Sequence, residues 1–190
     1  IGIAVAVEGA SWYFPIRHAN GGNLDAKMTL NWLRDVCGMP DCTYVFHNAM
    51  YDVGWLGREG VIVAGRIVDT MVAAPLLDEN RFSYSLNSVG ADYLKERKDE
   101  RTLQEAAKSM GLNPKSEMWK LPARYVGEYA EQDTRLPLKI LRKQEDIIRN
   151  LGLDAVYDLE SKVLPILVKM RRRGVRIDTD ATDNNTTGGE

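Results

Sequence analysis

Two short segments carry side chains whose types and spacing suit metal-assisted hydrolysis. In the first, Asn48 and Asp52 are four residues apart, just after an apolar run that ends at Phe46. In the second, Tyr129 and Asp133 are four residues apart within a helical pattern. Because residues four apart lie on one face of a helix, each segment directs two polar groups to the same place. Two carboxylates and a phenol that converge would suit a two-metal phosphodiester hydrolysis site.

Each of these residues also has a structural interpretation when it is taken alone. Asn48 suits a helix N-cap, and Asp52 suits the first turn of the helix that follows. Asp69, which follows a β-branched run, is interpreted as a cap or turn residue. The two histidines, His18 and His47, lack the spacing of a metal-binding pair, so we interpret them as structural or substrate-adjacent. Only the two paired segments taken together favour a catalytic site.

The composition is that of an ordinary globular protein. A chain of 190 residues with 44% hydrophobic residues predicts one domain with at most a short piece of a second. The net charge of -2 does not indicate a general nucleic-acid binder, although an enzyme that neutralises phosphate with metal needs no basic surface. Cys37 and Cys42 are interpreted as free thiols. No apolar stretch approaches the roughly 20 residues that span a bilayer, so no membrane partner is expected.

The elements that must position these residues follow from hydrophobic periodicity and from chain breakers. Strands are predicted over residues 1–7, 11–16 and 43–46, with a further extended piece over 61–68. Helices are predicted over 25–36, 49–58, 70–77, 85–94, 102–110, 122–151 and 158–173. We expect a bend at Pro137, a solvated turn over the charge run 95–101 and a disordered tail over 179–190. Together these elements predict an α/β fold, a mixed sheet flanked by helices.

The two paired segments, in this order, resemble the second and third motifs of the DEDD 3′–5′ exonucleases of the tyrosine subtype. The residues at 45–52, 69–71, 84–86 and 119–126 are similar to the proofreading domains of family A DNA polymerases, the phage-type members especially. Residues 158–178 resemble the start of the polymerase region in the same family. The resemblance implies a ribonuclease H-like fold, with an exonuclease domain over 1–152 and the start of the polymerase region over 153–178.

The resemblance also implies a reaction and its participants. In this family two divalent metal ions, Mg²⁺ or Mn²⁺, act on the 3′ end of single-stranded DNA and nucleoside 5′-monophosphates are released. Asp52 and Asp133 are then expected to bind the metals, Tyr129 to orient the attacking water, and Asn48 to position substrate or the adjacent carboxylate. The expected partner is the polymerase domain of the same parent chain, in the cytoplasm of a bacterium or a phage-infected cell.

One motif of the family is absent from the sequence. An Asp-x-Glu on the first strand is expected just upstream of Ile1, and Glu8, in a predicted hairpin turn, is not accepted as a substitute. We therefore expect an N-terminally truncated fragment that lacks the first strand, holds its metals weakly and is inactive or nearly so. The alternatives are a standalone DEDD exonuclease that processes RNA, a non-catalytic domain that binds DNA or braces a polymerase, and a generic binding module. A DNA contact at the basic helix end, 169–173, is also considered.

Overall fold

The computed structural model describes residues 1–96 and 98–178, and it confirms the predicted α/β class. The strands in these ranges are β1 (Gly2–Val7), β2 (Ala10–Pro15), β3 (Thr43–Phe46) and β4 (Arg66–Asp69). The helices are α1 (Ala26–Cys37), α2 (Ala49–Arg58), α3 (Thr70–Leu77), α4 (Leu86–Leu94), α5 (Arg101–Ser109), α6 (Ala123–Leu151) and α7 (Asp154–Arg173). A 3₁₀ turn at Met118–Lys120, which was not predicted, precedes α6.

Strands β1 and β2 form the predicted antiparallel hairpin, with Gly2 opposite Pro15. Gly9 lies in the turn between them with a φ of 81°, a conformation that favours glycine. Gly2 lies so close to the Tyr13 ring that a Cβ atom at this position would be 2.2 Å from the phenol oxygen. The hairpin therefore needs glycine at its turn and at the point where an aromatic ring crosses the first strand.

Strands β3 and β4 form a parallel pair in which Phe46 lies opposite Asp69 at the carboxyl ends. Helix α2 starts three residues after β3, at Ala49, and α3 follows β4 directly at Thr70, so both helices begin at this edge. Among the residues described, no strand joins this pair to the hairpin, so the sheet layer consists of one antiparallel and one parallel pair. The edge where the two helices begin is a common location for sites in α/β domains.

Helix α6 packs against both strand pairs and against four other helices. Its apolar positions recur at helical spacing, as expected for a helix that covers a core on one face. Its buried residues are Val126, Leu136, Pro137, Ile140, Leu141, Gln144 and Ile148. The helix continues on both sides of Pro137, as predicted, and the bend there stays a prediction. One long helix therefore fixes the positions of the hairpin and the parallel pair relative to each other.

Helix α7 packs onto the same core. Tyr157 is buried, and its phenol donates a hydrogen bond to the carbonyl oxygen of Asp69 at 3.3 Å. Leu164 packs in a cluster with Ile67 of β4. The helix begins at Asp154, earlier than the predicted start at 158. The division between an exonuclease domain that ends at 152 and a polymerase region that starts at 153 stays a prediction.

Two local predictions are corrected by the structure. The extended piece predicted over 61–68 is a strand only at Arg66–Asp69, because Val61 instead packs in the α1 core with Leu33. The charge run 95–101 was predicted to be solvated, and its residues Lys95, Glu96, Asp99 and Arg101 are exposed, but the Lys98 side chain is only 11% exposed. The predicted disordered tail, 179–190, lies outside the described residues. In the ranges that the structure describes, no helix is long and apolar enough to cross a bilayer.

Candidate active site

Asp69 fixes the edge of the parallel pair where the candidate site is built. Its side chain is 1% exposed and accepts hydrogen bonds from three backbone N–H groups. Asn48 and Met71 donate to Oδ1 at 3.0 and 2.8 Å, and Ala49 donates to Oδ2 at 2.6 Å. A carboxylate at a helix N-terminus binds unpaired N–H groups and interacts favourably with the helix dipole. The predicted cap residue therefore caps α2 and α3 together.

Asn48 precedes α2 in the left-handed conformation, with φ 76° and ψ 55°. Asparagine tolerates this conformation better than most side chains do. Asn48 occupies the N-cap position of α2, as predicted, but its side chain makes no capping hydrogen bond. The Asp69 carboxylate performs that function instead, which leaves the exposed Asn48 amide beside a cavity of about 350 Å³ that Tyr84 and Glu160 also line.

Asp52 lies in the first turn of α2 and is partly buried. Burial raises the pKa of its carboxyl group from 3.8 to about 6, and the negative charges of Asp69 and Asp133 add to this effect. Like charges raise a carboxyl pKa only over short distances. Asp52 of α2 and Asp133 of α6 therefore lie in the same region, where their negative charges repel each other.

We expect Asp52→Asn to stabilise the metal-free protein at pH 7. Because the pKa of Asp52 is higher in the folded protein, folding takes up a proton between about pH 4 and pH 6, and stability falls as pH rises through this window. Partial exposure screens the effect, so the gain in unfolding free energy at pH 7 should be about 1–2 kcal/mol. Urea unfolding in EDTA should show this gain at pH 7 and none at pH 3.5. A variant that is equally stable or less stable at both pH values would contradict the prediction.

Tyr129 and Asp133 lie on one face of α6, and Lys98 contacts both. The Lys98 ammonium is 2.8 Å from Asp133 Oδ1 and donates a hydrogen bond to the Tyr129 phenol oxygen at 3.2 Å. It also lies 4.6 Å from the centre of the Tyr129 ring, within the range of a cation–π interaction. Burial and the Asp133 charge raise the pKa of Tyr129, against the opposing effect of Lys98. The phenol therefore stays protonated at neutral pH.

Lys98 is a residue of this site that the sequence analysis missed. Its backbone N–H donates to Asn87 Oδ1 at 3.2 Å, and the N–H of Asp99 donates to Gln132 Oε1 at 2.8 Å. Burial acts to lower the pKa of Lys98, but the contacts and charges of Asp133 and Tyr129 outweigh burial, so the pKa is raised overall. No periodic pattern marks this lysine within its charge run, so its role depends on contacts with α4 and α6 that only the fold reveals.

Both histidines have structural contacts. His47 Nε2 lies 2.9 Å from the Tyr84 carbonyl oxygen, to which it must donate, and burial lowers the pKa of the ring. His18 is buried, and its Nδ1 lies 2.7 Å from the Leu121 carbonyl oxygen. Its Nε2 then accepts a hydrogen bond from the Tyr13 phenol at 2.6 Å. Each ring joins segments that are distant in sequence, so both histidines have structural contacts, and the alternative that either lies next to the substrate stays a prediction.

Three other sequence predictions concern residues away from these carboxylates. The Glu8 carboxylate is 79% exposed and pairs with an arginine of α6 at 2.6 Å, and its exclusion as a metal ligand stays a prediction. Cys37 and Cys42 are both free thiols, as predicted. Arg172, in the basic end of α7, lies close to Gly57 of α2. The DNA contact considered for this helix end stays a prediction.

The residues at the candidate site fit a divalent cation as part of its ligand set. Mg²⁺ and Mn²⁺ prefer oxygen ligands, and Asp52 and Asp133 offer two carboxylates whose mutual repulsion a cation would relieve. Asp133 Oδ1 is buried and accepts no well-aligned hydrogen bond from the residues described, although the Lys98 ammonium faces it. Across residues 1–96 and 98–178 no group of three or more His, Cys, Asp or Glu residues could hold a metal. The described residues therefore offer two carboxylates that suit a cation and not a complete site.

Comparisons with known proteins show the family to which this chain belongs. A family model described as 3′–5′ exonuclease matches residues 3–149. The chain is 45% identical over 185 residues to a DNA-directed DNA polymerase of Pseudomonas phage M6. The matched region covers 96% of this chain and 28% of the polymerase. It is 27% identical to DNA polymerase I of Synechocystis, covering 88% of this chain and 17% of that protein. The chain therefore spans less than a third of the length of these relatives.

Solved structures show the same fold at low sequence identity. A structure described as the apo form of the nuclease superposes with a TM-score of 0.67 at 18% identity and covers 94% of this chain and 79% of that one. Brucella melitensis NrnC superposes with a TM-score of 0.63 at 16% identity, covering 88% and 73% of the two chains. The 3′–5′ exonuclease family whose model matches residues 3–149 generally uses divalent metal ions. From the family match and the polymerase relatives, the chain belongs to the 3′–5′ exonuclease domain family of family A DNA polymerases.

Proposed function

We propose that this chain is the proofreading exonuclease domain of a DNA polymerase. It would hydrolyse the 3′-terminal phosphodiester of single-stranded DNA and release nucleoside 5′-monophosphates. The observation that carries this proposal is the convergence of Asp52, Asp133 and Tyr129. The Lys98 ammonium contacts both Asp133 and the Tyr129 phenol, and the charge of Asp133 helps to raise the pKa of Asp52. Two carboxylates and a neutral phenol are groups that a metal-assisted hydrolysis of phosphodiesters uses.

Each side chain has a role that its surroundings support. Asp52 and Asp133 would hold the divalent ions, Mg²⁺ or Mn²⁺, which when bound supply Lewis-acid stabilisation of the charge that develops at the phosphate. Tyr129, protonated at neutral pH, would orient the attacking water through a hydrogen bond. The exposed Asn48 amide, which makes no capping bond, would position the substrate or the neighbouring carboxylate.

The exposed face of α2 supports a path for a single strand beside Asp52. Tyr51 and Trp55 are 57% and 49% exposed, and their rings meet edge to face with centres 6.3 Å apart. The Arg58 guanidinium lies 4.8 Å from the centre of the Trp55 ring. Exposed aromatic rings accompanied by arginine are a common platform for unpaired bases. A mismatched 3′ end frays into a single strand, so a strand that stacks here would present its end to the carboxylates.

The wider context of the reaction is part of the same proposal. Because the relatives are DNA polymerases, the partner would be a polymerase domain of the same parent chain, working in the cytoplasm of a bacterium or a phage-infected cell. An RNA-processing exonuclease is less well supported, since the relatives named above are DNA polymerases. A non-catalytic bracing domain has no need of the coupled carboxylates that α2 and α6 bring together.

The proposal is tested with a nuclease assay on a 5′-labelled single-stranded DNA oligonucleotide in Mg²⁺ or Mn²⁺. The 190-residue chain should cleave slowly or not at all, because two carboxylates are too few for two hard cations. A form with an Asp-x-Glu strand added ahead of Ile1 should shorten the DNA stepwise from its 3′ end. The matched control carries Asn-x-Gln in the added strand and should be inactive. No cleavage by the Asp-x-Glu form, or cleavage of RNA alone, would contradict the proposal.

A further inference from the structure

Lys98 occupies a position in the candidate site that the proposed chemistry does not use. Its ammonium lies 2.8 Å from Asp133 Oδ1 and 3.2 Å from the Tyr129 phenol oxygen. The side chain is 11% exposed, so water screens these interactions poorly. The proposed chemistry needs a divalent cation at the Asp133 carboxylate, and a monovalent cation of the protein itself is already there.

The backbone around Lys98 is anchored so that the side chain reaches this carboxylate. The Lys98 N–H donates a hydrogen bond to the Asn87 side chain on α4. The N–H of Asp99 donates to the side chain of Gln132, the neighbour of Asp133. These bonds hold the main chain in place, whereas the flexible four-carbon stem of a lysine lets its ammonium move between positions. The ammonium can therefore leave the Asp133 carboxylate while the main chain at Lys98 and Asp99 stays in place.

We infer that Lys98 competes with the metal ion for Asp133 and so lowers the affinity of the site for divalent cations. An ammonium at hydrogen-bond distance from Oδ1 and a divalent ion bound to the same carboxylate would lie within a few ångströms of each other. Two positive charges at that distance repel strongly where solvent is scarce. Lys98 must then release Asp133 before the ion binds. The inference rests on the proposed function only in that it takes Asp133 as a metal ligand.

The test measures Mn²⁺ binding by the loss of the free-ion signal in electron paramagnetic resonance. Lys98→Met keeps a long apolar side chain and removes the charge, and it should bind Mn²⁺ about tenfold or more tightly than the unaltered chain. The matched control is Lys139→Met. That lysine lies on α6, is 52% exposed and pairs with Glu96 at 2.8 Å. Because each variant loses one lysine, Lys139→Met and Lys98→Met have the same net charge. The Mn²⁺ affinity of Lys139→Met should stay within about twofold of the unaltered chain.

A double variant locates the gain in affinity. Adding Asp133→Asn to Lys98→Met should remove the gain, because the ion then loses the carboxylate for which Lys98 competed. The inference is overturned if Lys98→Met binds Mn²⁺ no more tightly than Lys139→Met does. It is also overturned if the gain survives in the double variant. Binding as expected without DNA cleavage by the Asp-x-Glu form would contradict the proposed function and leave this inference standing.

A second measurement does not depend on the folding of a variant. Reductive methylation with ¹³C-formaldehyde turns each lysine of the unaltered chain into a dimethylamine with its own NMR signal. Titration with Mg²⁺ should shift the Lys98 signal as the ammonium leaves Asp133, while the Lys139 signal stays in place. A Lys98 signal that does not respond to Mg²⁺, at concentrations that perturb the amide signal of Asp133, would overturn the inference.

Discussion

Asp133→Ala should lower the rate of 3′-end cleavage by at least about three orders of magnitude in the form that carries the added Asp-x-Glu strand. The substitution removes one of the two carboxylates that α2 and α6 bring together, and it leaves the Lys98 ammonium without its partner in the site. Both changes weaken the binding of a divalent cation at the site, the first because a ligand is lost and the second because the positive charge of Lys98 is no longer compensated. Single-turnover release of nucleoside 5′-monophosphate at saturating Mg²⁺ measures the effect.

The same substitution elsewhere on α6 provides the control for Asp133→Ala. Asp146 is 69% exposed and pairs with Arg149 at 3.5 Å, so Asp146→Ala should leave the rate unchanged. Tyr129→Phe should reduce the rate less than Asp133→Ala, because a phenol that orients water contributes less than a ligand to the metal. If Asp133→Ala cleaved DNA at the unaltered rate, the assignment of Asp133 as a metal ligand would be wrong.

The sequence predicts those parts of the fold and site that depend on local geometry. The four-residue spacing of Tyr129 and Asp133 fixes one helix face, and the predicted bounds of α2 and α3, 49–58 and 70–77, agree with the structure. Asp69 was predicted as a cap from its position between a β-branched run and a helix, and the structure confirms this. Spacing alone did not bring Asp52 of α2 and Asp133 of α6 into one region, however. That expectation came from the family resemblance, because no local pattern fixes how two distant helices pack.

The features that the sequence did not predict depend on contacts between distant segments. Lys98 looked like one more solvated charge, since its contacts are with Asn87 on α4 and with α6. Asn48 looked like an N-cap, but the Asp69 carboxylate binds the N–H groups at the start of α2. Val61 looked like part of a strand and instead fills the core under α1. In each case a tertiary partner changed the role of a residue whose local preference was correctly recognised.

Asp69→Ala should lower the free energy of unfolding by about 3–5 kcal/mol, as expected when a buried hydrogen-bonded charge is removed from a small domain. Three backbone N–H groups, at the starts of two helices, would lose their acceptor at a position that is 1% exposed to water. Asp69→Asn should lose nearly as much, because an amide keeps the shape but has one oxygen where the carboxylate has two. Urea unfolding at pH 7 measures both losses.

The comparison that isolates this effect is Asp25→Ala, which removes an aspartate cap at the start of α1. Asp25 is exposed and its side chain accepts one N–H, from Met28 at 2.6 Å, so water can replace it and the loss should be about 1 kcal/mol. Equal losses for the Asp69 and Asp25 variants would mean that the shared cap adds nothing beyond an ordinary helix cap. A larger loss at Asp69 would show that one buried carboxylate holds α2 and α3, and with them Asn48 and Asp52, at the edge of the parallel pair.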